Sequence, residues 1–421
     1  MSKITALTAR EILDSRGNPT IEVRLSLGTV FAIASVPSGA STGVHEACEL
    51  RDGDSARYGG LGVLKAVGNV EGEIVREVLN KELSQNELDA ALIRLDGTPN
   101  KGRLGANAIL GVSLAFARAV ATEKGIELYE HIGSLAGISD LRLPQPFFNI
   151  INGGKHSDSG LDIQEFMLVP VGFPSFHEKV RAGDEIIAAL KKILVEKGYS
   201  VGVGDEGGFA PKLKLNEEAL DLMLSAITIA GYSTDNVKIA LDVAASTLFK
   251  DQTYKLKLGG YKKEMNSADM IGWYGQLIEK YPIISIEDGL SEDDWEGFTA
   301  MTAKLGDSLY IVGDDLTVTN IARIKTAVEK KAINSVLIKL NQIGTLSETI
   351  EAVMMTKQAG WIPFVSHRSG ETTDTFIADL AVGLSCECIK SGSLAREERV
   401  CKYNRLMEIE DTLSAGVTKK S

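Results

Sequence analysis

The sequence predicts an α/β protein in two parts. The first is an N-terminal α+β cap domain over residues 1–138, and the second is a (β/α)8 TIM-type barrel over residues 139–421. Three observations predict this. A chain of 421 residues is longer than one hydrophobic core usually serves, so it divides. The first third mixes a strand-like alternation with a long helical pattern. After residue 237, short apolar runs alternate with helical stretches again and again, as strand–helix units do. A doubly wound open sheet fits the same alternation and is the runner-up.

The elements follow in order. Residues 21–27 alternate apolar and polar side chains, as a half-exposed strand does. Residues 106–122 are rich in Ala and Leu, with Ile109, Leu110, Leu114 and Ala117 at helical spacing and Gly125 placed to cap the end. Leu143, Pro144, Gln145 and Pro146 predict a linker, because two prolines resist both helix and sheet. The apolar runs lie at 237–243, 283–286, 309–312, 336–340, 361–365 and 384–389. Residues 345–359 read as a helix between two of them, with Thr345 and Glu348 as a capping box and Gly360 at the end.

Composition narrows the function. Hydrophobic residues at 44% and charged residues at 24% are the balance of a globular protein. A net charge of −12 argues against nucleic acid as the main partner, while leaving room for a local basic pocket. Of the four cysteines (Cys48, Cys386, Cys388, Cys401), the close pair has one residue between them, which is not zinc-finger spacing. Reduced thiols in a reducing compartment are expected. Residues 1–17 mix charges and lack a signal peptide's apolar core, and no uncharged apolar run reaches the ~18 residues of a membrane span. The expected location is cytoplasmic, with a secondary surface pool left open.

The most informative feature is what ends each apolar run: Asp242, Glu287, Asp314, Lys339, the trio His367, Arg368 and Ser369, and Lys390. Barrel strands deliver their C-terminal ends to one mouth, so these groups would converge there. Asp242, Glu287 and Asp314 are hard oxygen ligands whose mutual repulsion calls for a cation, and Mg2+ suits carboxylates. A lysine beside that cation, Lys339, would have a depressed pKa and serve as a base. Each residue alone also reads as a solvated strand-end charge. The shared register needs a shared cause.

Other motifs are less specific. Residues 202–207 fit G-x-G-x-x-G, but Asp205 and Glu206 would repel a pyrophosphate and Pro211 follows too closely for a helix start. The loop instead makes Glu206 an acid/base candidate. Residues 38–43 (SGASTG) lack the lysine of a nucleotide loop and read as a mobile lid or a plain turn. His45 and Glu46 begin H-E-x-x-H, but Glu49 ends it, so a zinc protease is excluded. His156, after a turn-rich Asn-Gly-Gly-Lys, and His367 are candidate pocket residues.

Several longer stretches resemble the enolase family, nearly end to end and in order: DSRGNPT at 14–20, PSGASTGVHE at 37–46, INGGKHSDSGLDIQEFM at 151–167, GDEGG at 204–208, SIEDG at 285–289, GDDLTVTN at 313–320, LIKLNQIG at 337–344 and SHRSGE at 366–371. The resemblance implies a cap domain and a barrel whose first units are irregular. It implies reversible dehydration of 2-phospho-D-glycerate to phosphoenolpyruvate, in glycolysis and gluconeogenesis, with two Mg2+ per site. By position, Asp242, Glu287 and Asp314 match ligands of the tighter magnesium and Ser41 helps hold the second. Lys339 matches the base and Glu206 the acid, kept protonated. Arg368 and Ser369 match phosphate contacts, Lys390 lies near the substrate carboxylate, and His156, Gln164, Glu165 and His367 match supporting residues. A homodimer or an assembly of dimers is implied. Rival readings are another acid-sugar lyase or racemase of the superfamily, and an additional non-catalytic surface-binding role.

Overall fold

A computed structural model of the protein describes residues 1–39 and 43–418. The N-terminal part begins with an antiparallel meander, Ala6–Leu13, Pro19–Leu27 and Val30–Ser35. The central strand turns Ile21, Val23 and Leu25 inward, all fully buried, as its alternation predicts. Helix Ala106–Lys124 lies across this sheet and ends at Gly125 in the left-handed conformation (φ 65°). Its small residues permit the close approach. A Cβ on Gly111 would fall 2.5 Å from Val23 Cγ2, so no larger residue fits there.

The second part is a closed eight-stranded barrel. Its strands are Gln145–Asn152, Glu165–Pro170, Val237–Asp242, Ile283–Glu287, Tyr310–Gly313, Ser335–Ile338, Ile362–Ser366 and Cys388–Lys390, neighbours in chain order. Phe147, Met167, Val312, Leu337, Phe364 and Cys388 are among the side chains that fill a separate apolar cluster.

Two expectations are corrected, whereas the barrel has the irregular first units that the resemblance implies. Its second strand runs antiparallel to both neighbours, joined to the first by the loop 153–164, which holds a short 3-10 turn (Gly154–His156) and no α-helix. Antiparallel neighbours need only a loop, whereas parallel ones need a crossover. Two helices, Phe176–Glu196 and Asn216–Ile229, then precede the third strand. The supposed linker is half strand: Gln145 and Pro146 open the first barrel strand, where Pro146 sits opposite Ile389. Proline is tolerated at a strand's start. The run 384–389 is mostly not strand, since helix Phe376–Gly383 ends at Leu384 and pairing starts at Cys388. The long interval between Asp242 and Glu287 holds a small sheet, Phe249–Lys250, Thr253–Leu258 and Tyr261–Met265.

A half-buried ion pair joins the two parts. Arg118 of the long helix donates to both carboxylate oxygens of Asp374, at 2.8 and 2.6 Å. Burial would raise the Asp374 carboxyl, but Arg118 and the backbone amides of Ser35 and Phe376 hold it below its usual value. A lowered folded pKa means stability that is complete above the unfolded value of about 3.9 and lost as pH falls through the folded value. Asp374→Asn, which leaves a half-buried guanidinium without its carboxylate, is expected to lower unfolding free energy by about 2 kcal/mol at neutral pH. In urea titrations its gap to the parent should close below about pH 4. A gap independent of pH would count against this account.

Candidate active site

The antiparallel second strand has a direct consequence. Its N-terminal end, not its C-terminal end, reaches the barrel mouth, so Gln164 and Glu165 meet Asp242 there: Glu165 pairs in register with Asp242 and with Asn152. From the parallel strands, Glu287 pairs with Asp242, Val312 with Glu287, and Ser366 with Lys390. The expected groups other than Ser41 therefore do gather at one mouth. His156, Gln164, Glu165, Glu206, Asp242, Asp314, Lys339, His367, Arg368, Ser369 and Lys390 line one pocket, and Glu287 lies against it through Lys390. Ser41 lies outside the described residues.

Glu206 arrives from further away. Its loop, between the two extra helices, folds back over the mouth, with Phe209 donating its N–H to Ile150 O at 2.9 Å. Glycines make this possible: a Cβ on Gly204 would sit 2.7 Å from His156 O, and one on Gly208 would sit 2.7 Å from Asn152 Oδ1. The carboxylate is buried, accepts from Asn149 Nδ2 at 2.9 Å, and lies 3.6 Å from His156 Nδ1 and 3.7 Å from His367 Nε2.

The acidic half is crowded. Six carboxylates line the pocket (Glu165, Glu206, Asp242, Asp288, Asp314, Asp315) against three cations (Lys339, Arg368, Lys390). Lys390 Nζ donates to Glu287 at 2.8 Å and to both Glu165 oxygens at 3.4 Å, and stands 3.7 Å from Asp242. Lys339 is paired with Asp314, whose other oxygen accepts from Gln342 Nε2 at 2.8 Å. Gln164 Nε2 donates to Asp242 at 3.1 Å. Burial and Asp242 push Glu287 up to about 8. Two threesomes bring possible ligand atoms within 4.8 Å of one another: His156, Glu165 and Glu206, and Asp288, Asp314 and Asp315. A buried excess of hard oxygen donors is what a small divalent cation neutralises.

Two proton assignments differ from expectation. Burial acts most strongly on Lys339 and pulls it down, but the neighbouring carboxylates, Asp314 first and then Glu287, together hold the lysine above its ordinary value. Burial would raise Glu206, but the imidazoles of His156 and His367, with Arg399 and Lys390, bring it well below the carboxylate range. Glu165 goes the other way, raised by burial and then by Glu206. Of the two carboxyls, Glu165 therefore holds a proton more tightly than Glu206.

A family model for the enolase N-terminal domain matches residues 4–132, and one for the enolase C-terminal TIM barrel domain matches residues 140–420. The chain belongs to the enolase family. It is thus an enzyme of the enolase superfamily, and its acidic clusters fit the metal dependence typical of enolases. Among the described residues no helix is long and apolar enough to cross a membrane.

Sequence reasoning missed several of this enolase-family site's supports. Asp288, with φ 43°, accepts the N–H groups of Asp314 and Asp315 at 2.9 and 2.8 Å. Glu46 grips Arg368 with both oxygens, at 2.9 and 3.1 Å, and Asn341 Oδ1 accepts from the same guanidinium at 2.9 Å. Ser38 and Gly370 exchange backbone bonds at 2.7 and 2.9 Å. The segments on either side of 40–42 are therefore fastened to the loop that carries Arg368. The only sequence signal was that these residues fall inside the matching motifs. Glu46→Ala leaves a buried guanidinium without its carboxylate and is expected to cost about 3 kcal/mol. A double-mutant cycle with Arg368→Met should give a coupling above about 1 kcal/mol, and strict additivity would refute the pairing.

Proposed function

We propose that this protein is a hydro-lyase that interconverts 2-phospho-D-glycerate and phosphoenolpyruvate. The observation that carries the reading is the meeting of Lys339, Glu206, the Arg368–Ser369 loop and the carboxylate cluster in one pocket. The division of labour is a cap domain, residues 1–138, over a catalytic barrel, residues 139–421, in a cytoplasmic homodimer or assembly of dimers.

Asp242, Glu287 and Asp314 are the residues that would hold the tighter Mg2+, with Ser41 helping to hold a second. Their buried carboxylate oxygens, in excess over nearby cations, suit that ion. The chemistry magnesium supplies when bound is electrostatic stabilisation of the negative charge that builds on the substrate carboxylate.

The chain's own residues do the rest. Arg368 offers a planar fork to the phosphate, already oriented by Glu46 and Asn341, with Ser369 beside it. Lys390 lies among the carboxylates and receives the substrate carboxylate. Lys339 removes the C2 proton once the charge of Asp314 is engaged elsewhere, because that carboxylate is what keeps the ammonium protonated. Glu206 acts as the acid that helps hydroxide leave C3. Its proton comes with substrate: an anion beside Lys390 weakens the field that now ionises Glu206, and Glu165 holds a proton nearby. His156 and His367 frame that carboxyl.

Formation of phosphoenolpyruvate from 2-phosphoglycerate, followed by ultraviolet absorbance, tests the reading directly. Turnover should vanish on exhaustive chelation and return with Mg2+, while Ca2+ should bind and support little turnover, because its looser geometry misplaces substrate. Full activity without metal would rule the reading out. Equal turnover of unphosphorylated glycerate would favour a different acid-sugar lyase.

The two halves of the reaction separate in D2O. Lys339→Ala should lose both exchange of the C2 hydrogen and product formation. Glu206→Gln should lose dehydration by several orders of magnitude yet keep measurable exchange, because it retains the base. NMR of 2-phosphoglycerate with each variant reads both. Robust exchange by Lys339→Ala, or none by a folded, metal-loaded Glu206→Gln, would overturn the roles.

A further inference from the structure

Arg399 touches more of the site's framework than any role given above explains. It lies on the C-terminal helix Glu397–Thr418 and is fully buried. One terminal nitrogen, Nη1, donates to His367 Nδ1 and to Arg368 O, the latter at 2.6 Å. The other, Nη2, donates to Ser369 O at 2.8 Å and to Asp205 O at 3.1 Å. Its Nε lies 3.5 Å from Glu398 Oε1. A single guanidinium thus joins the loop that presents Glu206 to the loop that presents Arg368 and Ser369, and also contacts the histidine between them. The fold makes room for it. Gly392 has a φ of +69°, and a Cβ there would fall 2.9 Å from Arg399 Cδ and 2.6 Å from Glu206 O.

The chemistry of that contact is one-directional. A guanidinium has five N–H donors, no acceptor, and does not lose its charge in proteins. His367 Nδ1 can only accept from it. The ring proton must then sit on Nε2, the nitrogen 3.7 Å from Glu206 Oε1. Adding a second proton at Nδ1 would set an N–H against an N–H and a cation against a cation. The charged and titratable groups facing His367 are Arg399 from the C-terminal helix, Glu206 from its loop, Lys390 from the eighth strand, and Lys339 from the end of the sixth. Glu206 alone favours protonation, while burial and the three cations oppose it.

We propose that Arg399 is a positioning residue that locks His367 as the neutral Nε2–H tautomer facing Glu206 and ties the Glu206 loop to the Arg368–Ser369 loop. The acid half and the anion-binding half of the site then keep one fixed spacing, and Glu206 faces, at 3.7 Å, a neutral ring N–H whose state does not follow pH. The structural part stands on the contacts alone, and only its kinetic consequence rests on the function proposed above.

The test starts with the unmodified protein, labelled with 15N-histidine. Long-range proton–nitrogen correlation spectra report the tautomer of each of the five histidines, with His367 assigned by its loss in His367→Gln. His367 is expected to hold a proton on Nε2 and none on Nδ1 from about pH 5 to about pH 8, where an ordinary histidine titrates. A proton on Nδ1, or titration within that range, overturns the proposal. Arg399→Lys keeps charge and stem but loses the fork. It should let His367 titrate or change tautomer, and should cut dehydration of 2-phosphoglycerate at least about tenfold, the scale of one charge-assisted hydrogen bond. A folded Arg399→Lys protein whose His367 behaves as in the parent sinks the idea. The spectra need no substrate. A locked His367 in a protein inert toward 2-phosphoglycerate would leave this inference standing and remove the assigned reaction.

Discussion

The site depends on keeping a surplus of negative charge buried at one end of a closed barrel. Six carboxylates face three cations in the pocket lining, and like charges in a low-dielectric mouth repel strongly. Such a cluster persists only where the surrounding framework fixes every member. Here the framework is the barrel ladder itself, which sets Glu165, Asp242 and Glu287 in successive register, with an apolar cluster within the barrel. Lys390 and Lys339 are the internal counter-charges that make the cluster tolerable, and they are also the groups to which the proposed reaction assigns carboxylate binding and proton removal. Stability and chemistry therefore draw on the same ion pairs.

That dependence explains why so much of the chain is spent on supports. Asp288 adopts a left-handed backbone conformation to hold the amides of Asp314 and Asp315. Glu46 and Asn341 orient Arg368 from two different parts of the chain. The C-terminal helix contributes Arg399 to the Glu206 and Arg368 loops and Lys402 to Glu371, at 3.0 Å. Glu371 in turn accepts the Arg368 N–H at 3.0 Å. Apart from this last one, none of these contacts is local in sequence. Each ends on a group that presents a reactive side chain, and packing holds such groups within fractions of an ångström.

The antiparallel second strand links topology to function in a way that a regular barrel would not. Reversing one strand brings its first residues, Gln164 and Glu165, to the mouth otherwise reached only by strand ends. It also frees two consecutive helices to be joined by a long loop, and that loop carries Glu206 back over the pocket. The irregularity is thus the source of both carboxyls that burial and their neighbours shift in opposite directions, Glu165 up and Glu206 down.

By itself the sequence determined the periodic part of this architecture. Strand ends from Glu287 to Lys390 recur at the interval of one strand–helix unit, with Asp242 one longer step before them, and side-chain chemistry at those ends is visible without coordinates. The helix over Ala106–Lys124, its glycine cap and the N-cap Thr345 were legible for the same reason, because helix periodicity and capping act within a few residues. Only the tertiary structure decided the rest. Apolar pattern does not encode strand direction, so the reversed second strand and the strand role of Gln145 and Pro146 could not be read from it. Proton positions depend on which charge lies next to which: Lys339 faces a carboxylate and rises, Glu206 faces imidazoles and cations and falls. Glu46, Asp288 and Arg399 look like ordinary charged residues in the chain. They become part of the site because folding removes them from water, where an ion must find a fixed partner or pay several kcal/mol for lacking one.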